Sequence, residues 1–373
     1  MNYKFIPILL ILGSIMIILY YYKEKVYNPS MTTYVRSFIT SKVGLNQQTC
    51  LENLSKIEWM RKMEEKYRRI NAKINEECKK HTKRNKRTLN STNIFDEMEF
   101  YYNHGQGYKE TWMLDMNHRI GYCKNSKAGT TTWIHYFFKL FPFSKQQELR
   151  KRIELDHPSS NWTSWIRNYM QKHDHLPIDS ILPANKTTVQ NITFTNILNN
   201  FFTRMNIFTF SFVRHPFERL VSAYKDKFLR STKVSRKYPT KNVTNFVEFV
   251  NLVLEEHQEQ EQCRKSYDKD CSHIDRHWNL FDARCQYCEI PYNVIGKMET
   301  FNDDVKYITL KQNLEDIIPL NTTDLHMNWK GDEYANNSTL AYFSSLSKLQ
   351  IRWLYEIYRE DFELFDYKID SYL

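Results

Sequence analysis

The chain has 373 residues, of which 41% are hydrophobic and 26% charged, and carries a formal net charge of +10. The apolar share is too high for a disordered chain, and the length suffices for one large core or two modest ones. The charge is local: thirteen Lys/Arg against six Asp/Glu between Glu52 and Arg87 supply +7 of it. It marks one stretch rather than a broad basic surface, and gives no ground for a nucleic-acid partner.

The first element is apolar. Phe5 to Tyr22, "FIPILLILGSIMIILYYY", holds eighteen residues without a charge, flanked by Lys4 and Lys23 and ending in tyrosines of the kind that sit at membrane interfaces. It is expected to be an uncleaved membrane anchor at 5–22 behind a four-residue tail at 1–4. A cleaved signal peptide is the competing reading, but no small-x-small site follows the apolar run. The sequons beginning at Asn53, Asn90, Asn161, Asn185, Asn191, Asn242, Asn321, Asn336 and Asn337 all follow that segment. Their spread fits a lumenal body behind a short cytoplasmic tail.

Residues 23–100 read as a stem. Leu54, Ile57, Met60, Met63, Tyr67, Ile70 and Ile74 recur at spacings of three and four, which predicts an amphipathic helix, either a solvated stalk or a self-associating one. "RNKR", Arg84 to Arg87, has the form of a secretory-protease site, although basic runs are usually just exposed. Seven cysteines in an oxidising compartment predict disulfides and at least one thiol unpaired within the chain. Cys123, at the end of an apparent core strand, is the candidate free thiol. Cys285 and Cys288 with His273 and His277 form an alternative zinc set, which the compartment disfavours.

The compact body is expected over 101–373, with a polar insertion around Asn161 to Asn200. It contains two strand-loop-helix units. In the first, "HRIGYC" (His118 to Cys123) is a short buried strand, "NSKAG" a turn, and "TTTWIHYFFKLF" a helix. Backbone N–H groups from Gly129 onward, the hydroxyls of Thr130, Thr131 and Thr132, and the ammonium of Lys127 would face an anion there, and the glycine would let that anion approach the backbone. The loop lacks the full nucleotide-triphosphatase order G-x-x-x-x-G-K-[ST]. In the second unit Ile207 to Val213 is a buried strand of the parallel type, Pro216 suits a first helical position, and Leu220, Val221, Tyr224 and Phe228 form the helix's buried stripe. Arg214, at the strand's carboxyl end, and Ser222 can clamp a second phosphate; the bland alternative is an Arg214–Glu218 surface pair. Two anion sites on one sheet edge point to a ligand with two separated phosphates.

"KAGTTTW" and, some eighty residues on, "FVRHPFERLVSAYKDKF" resemble the nucleotide-binding signatures of Golgi carbohydrate sulfotransferases, in particular the group of chondroitin/dermatan 4-O-, N-acetylgalactosamine 4-O- and HNK-1 sulfotransferases. "HWNLFDARCQYCEIPYNVIGKMETF" and the C-terminal "LYEIYREDFELFDYKI" add to the likeness. The resemblance implies an α/β, P-loop-like sulfotransferase fold with a central parallel sheet flanked by helices, in a single-pass type II Golgi membrane protein. It implies 3′-phosphoadenosine 5′-phosphosulfate as co-substrate, without a metal. Lys127 and Ala128 to Thr132 fall at the 5′ end, and Arg214 and Ser222 at the 3′-phosphate. The acceptor is expected to be a glycan, best the 4-position of N-acetylgalactosamine in chondroitin or dermatan. Other acceptor classes (uronyl or heparan 2-O, protein tyrosine) and a non-catalytic glycan-binding relative are the alternatives; a nucleotide kinase lacks its phosphate loop. For the base that deprotonates the acceptor, His175, His173 and His157 lie between the two signatures, His277 is a second possibility, and His135 is expected to be packing.

Overall fold

The computed structural model describes residues 47–84, 111–156, 194–229, 243–265, 274–318, 320 and 339–373. The anchor, "NKR" of the basic motif, every sequon but Asn53, and His157, His173 and His175 lie outside them. Among the described residues no helix is long and apolar enough to cross a membrane.

A four-stranded sheet has the order β1-β2-β3-β4, formed by β1 (Trp112–Asp115), β2 (Ile120–Cys123), β3 (Phe208–Val213) and β4 (Val294–Lys297). β2, β3 and β4 run parallel, with Tyr122 opposite Phe210 and Phe212 opposite Gly296. β1 joins the edge antiparallel to β2, so the sheet is mixed rather than wholly parallel. The cause is the short turn around Asp115 to Arg119, where His118 N–H donates to Asp115 Oδ1 and Arg119 takes φ 53°. A connection of that length joins antiparallel neighbours, whereas parallel ones need a crossover.

Alternation along β3 sorts its two faces. Phe210 and Phe212 meet Trp133 of α2 (Thr130–Leu140), with centroids 4.4 and 5.6 Å apart. Ser211, on the opposite face, shares a 2.7 Å hydrogen bond with the Tyr287 hydroxyl. Beyond α3 (Phe143–Asp156) and α4 (Phe194–Arg204), α5 (Pro216–Tyr224) leaves β3 directly, with proline at its start as expected. Its apolar stripe (Phe217, Leu220, Val221, Tyr224) packs against α6 (Phe246–Lys265) through Phe249 and Val253, and against α9 (Lys348–Leu364) through Leu354, Tyr358 and Phe362. A short turn of helix, α7 (Asp282–Cys285), and α8 (Phe301–Lys311) flank β4 in sequence.

The predicted amphipathic helix exists as α1 (Gln47–Arg84). A solvated stalk does not describe its second half, because the chain divides after Lys66 and Tyr67 onward belongs to the same compact unit as the sheet. There Tyr67 donates to buried Asp304 at 2.6 Å, Asn71 Nδ2 donates to the Tyr292 carbonyl at 2.8 Å, and Cys78 forms a disulfide with Cys288. A second disulfide joins Cys123 to Cys285, and Cys263 is also disulfide-bonded. Cys123 is therefore not the free thiol. Its place at the end of β2 puts it beside the chain that enters the sheet's other side, 6.0 Å between Cα atoms. With Cys285 and Cys288 both oxidised, the zinc set has no thiolates. Among the described residues no group of three or more His, Cys, Asp or Glu could hold a metal ion.

Candidate active site

The loop between β2 and α2 is held from several directions. Asn125, almost wholly buried, donates through Nδ2 to the Phe212 carbonyl at 3.1 Å and to Ser211 Oγ at 3.3 Å, and also meets the Tyr287 hydroxyl. Arg284 Nε donates to the Lys124 carbonyl at 2.8 Å, and Thr130 Oγ1 donates to the Asn125 carbonyl. With the Cys123–Cys285 bridge at its entrance, the loop is pre-shaped rather than shaped by its ligand. Lys127 adopts φ 69°, a left-handed conformation unfavourable for a side chain, as sites that must aim one residue often do.

Gly129 is the N-cap of α2 at φ 74°. A Cβ there would lie 2.7 Å from Phe301 Cε2 and 3.3 Å from Met298 Sδ. The glycine thus permits the left-handed turn and the packing against α8, besides any approach of an anion. The three threonines also differ from one another. Thr130 and Thr131 are half-buried, Thr130 closes the loop, and Thr132 is buried with 1% exposure. Ala128 is fully buried.

Lys127 Nζ lies 3.0 Å from Asp226 Oδ2, and Lys227 Nζ lies 3.1 Å from the same oxygen. Both partners come from a π-helical turn, Lys225–Leu229, that ends α5. Burial pushes the Lys127 ammonium down to about 8; Asp226 counters this, and the nearby charges of Lys227 and Arg214 add to the fall. Burial alone would raise Asp226, but the two lysines outweigh it and hold the carboxyl at about 2. Lys227 and Arg214 thus both lie within electrostatic reach of Lys127, which stands two residues before the N-cap of α2, a place suited to a polyanion.

Arg214 follows β3 and donates from Nε and Nη2 to Glu218 Oε2, both at 3.2 Å. The Arg214–Glu218 pair is therefore real, and leaves the Arg214 side chain one-fifth exposed. Ser222 is half-buried on the same helix, eight residues further on. His215 caps α5: its Nδ1 accepts from Phe217 N–H at 3.3 Å while Nε2 contacts the Lys368 carbonyl at 3.0 Å, which requires the neutral Nε2–H tautomer. Burial lowers its pKa accordingly. Glu299, raised by burial, accepts from His215 N–H at 3.0 Å and from the Tyr367 hydroxyl at 3.0 Å.

Asp226, Lys227 and Asn125 carry no signal in the sequence that sets them apart, although they lie in "FVRHPFERLVSAYKDKF" and "NSKAG". Asp226 and Lys227 were visible only as a charged tail to a helix stripe, and nothing in "NSKAG" tells a buried asparagine from a turn asparagine. His135, half-buried on α2 with its pKa lowered by burial, lies on the helix after the loop, as expected.

The architecture and this cluster of cations define an α/β protein with a candidate anion site at the carboxyl edge of its sheet. Residues 110–368 match the model of the sulfotransferase family. The chain belongs to that family and is a sulfotransferase. It is 28% identical over 274 residues to carbohydrate sulfotransferase 10 of Xenopus laevis, covering 69% of this chain and 67% of that protein. Carbohydrate sulfotransferase 11 of Rattus norvegicus is 25% identical over 280 residues, covering 70% and 68% respectively. Carbohydrate sulfotransferase 10 of Homo sapiens is 27% identical over 277 residues, covering 69% and 66%. No solved structure gives a significant match.

Proposed function

We propose that this sulfotransferase moves a sulfuryl group from 3′-phosphoadenosine 5′-phosphosulfate to a hydroxyl of a glycan. The observation that carries the reading is that Lys127 and Lys227 share Asp226 with Arg214 in electrostatic reach of Lys127, in a chain whose relatives are named carbohydrate sulfotransferases. A donor with phosphates at both ends of its ribose needs two cationic sites, and these residues offer them on consecutive strand-helix units. Lys127 and the α2 N-terminus, with Ala128 to Thr131 forming the turn and Thr132 packing behind it, would take the 5′ end. Arg214 and Ser222 would take the 3′-phosphate, with Arg214 exchanging Glu218 for it.

In an in-line displacement the bond between sulfur and the bridging oxygen breaks, and negative charge grows on the 5′-phosphate. An ammonium fixed there stabilises the transition state more than the ground state. Lys127 is suited to that role because its charge is under-compensated before the donor arrives.

The proposed setting is the Golgi lumen, behind an anchor at 5–22 in type II orientation, and the proposed acceptor is the 4-position of N-acetylgalactosamine in chondroitin or dermatan. Full-length protein is to be incubated with sulfur-labelled donor and desulfated chondroitin, dermatan and heparan chains. Label released as the 4-sulfated disaccharide supports this acceptor; label on heparan or on protein tyrosine alone replaces it with another acceptor class.

A further inference from the structure

Sulfuryl transfer to a hydroxyl needs an acceptor for the hydroxyl proton, and the carboxylates around Lys127 and Arg214 are engaged. Asp226 holds two lysines, Glu218 holds Arg214, and both oxygens of Glu299 accept hydrogen bonds. His215 has both ring nitrogens occupied.

His277 is different. Its Nδ1 lies 2.6 Å from Asp275 Oδ1, and the same oxygen accepts His277 N–H at 3.0 Å. A carboxylate at that distance fixes the proton on Nδ1 and leaves the lone pair on Nε2, which has no hydrogen-bond partner among the described residues, on a side chain that is 13% exposed.

The dyad also lies beside the cation cluster. Burial lowers the His277 imidazole to about 4 and Asp275 counters this, while the charges of Lys227 and Arg276 add to the fall; Phe228, next to Lys227, packs on Trp278 with centroids 6.3 Å apart. A similar dyad, His118–Asp115 at 2.9 Å, precedes β2 and so lies at the opposite, amino end of the sheet from the loop.

The segment carrying His277 is braced on three helices. Arg219 Nη2 of α5 donates to the Arg276 and Asn279 carbonyls, at 3.4 and 2.5 Å. Trp278 Nε1 donates to Glu256 of α6 at 2.6 Å, and Tyr358 of α9 donates to the Trp278 carbonyl at 2.5 Å. Such support holds a reacting group still, as general-base catalysis requires.

We infer that His277 is the general base of the transfer, with Asp275 as its positioning residue. The inference rests on the donor-site reading above. As the acceptor oxygen forms its bond to sulfur, its O–H bond breaks and the proton passes to His277 Nε2. The sulfur–oxygen bond to the 5′-phosphate breaks, and its electron pair leaves on the nucleotide beside Lys127. Asp275 stabilises the imidazolium, which then loses its proton to solvent.

The test uses full-length protein, labelled 3′-phosphoadenosine 5′-phosphosulfate and the acceptor chain that wild type sulfates. His277→Ala should lower turnover by about a hundredfold or more, leave affinity for 3′-phosphoadenosine 5′-phosphate and the melting temperature unchanged, and regain turnover with added imidazole. His277→Gln, which keeps a donor for Asp275, should be equally slow, and serves if the alanine variant fails to fold. A folded His277 variant with more than about a tenth of wild-type turnover overturns the assignment, as does a slow His277→Ala that imidazole cannot rescue. Failure of the wild type itself to bind the nucleotide would overturn the donor-site reading instead.

Discussion

Raising the pH should weaken nucleotide binding through one residue, Lys127. In the free protein burial, Lys227 and Arg214 bring its ammonium to about 8. A phosphate beside it favours the charged form, so the bound-state pKa must be higher. The sign follows: below pH 8 the site is already charged and binding needs no proton, while above it each binding event must first protonate Lys127. One pH unit above the free pKa this costs about 1.4 kcal/mol, or about a tenfold rise in Kd. Calorimetric titration with 3′-phosphoadenosine 5′-phosphate at pH 7 and pH 9 measures the ratio. Repeating it near pH 8 in buffers of different ionisation enthalpy should show uptake of about half a proton. Lys127→Ala should remove both the proton uptake and the pH dependence above neutrality. Equal Kd at the two pH values, or the same uptake in the variant, would refute the argument that Lys127 waits under-compensated for the donor.

Arg214→Ala should weaken the same nucleotide by about tenfold or more, the worth of one charge-assisted contact, without lowering the melting temperature; unchanged affinity would exclude Arg214 from the 3′-phosphate. Arg219, five residues on, should behave oppositely. It is buried over the Phe281 ring at 4.1 Å and lies 3.8 Å from buried Asp361, so Arg219→Ala should cost about 3–5 kcal/mol of stability, read as a fall in thermal or urea midpoint. Gly129→Ala should lose both stability and donor binding, since the added Cβ meets Phe301 at 2.7 Å in a left-handed turn; an active variant with wild-type melting would contradict that geometry.

Local pattern was enough for the two strand-loop-helix units. Ile207 to Val213 is an unbroken apolar run followed by proline at a helix start, and such signals act within a few residues, so β3 and α5 were legible without a fold. So were the positions of Lys127 and Arg214 in the loops after two strands, and the disulfide chemistry implied by seven cysteines. The similarity to sulfotransferases rested on the same stretches. Contacts between distant segments were not legible. Cys123 pairs with Cys285 across 162 residues, and Cys78 with Cys288 across 210, because the sheet order and the docking of α1 bring them together. Asp226 binding two lysines, Asn125 locking onto β3, and a histidine held by Asp275 beside Lys227 have the same origin. A charged or polar residue can be read from sequence as available. Whether it is spent on a neighbour or left open to a ligand depends on which groups the tertiary fold places within about 3 Å of it.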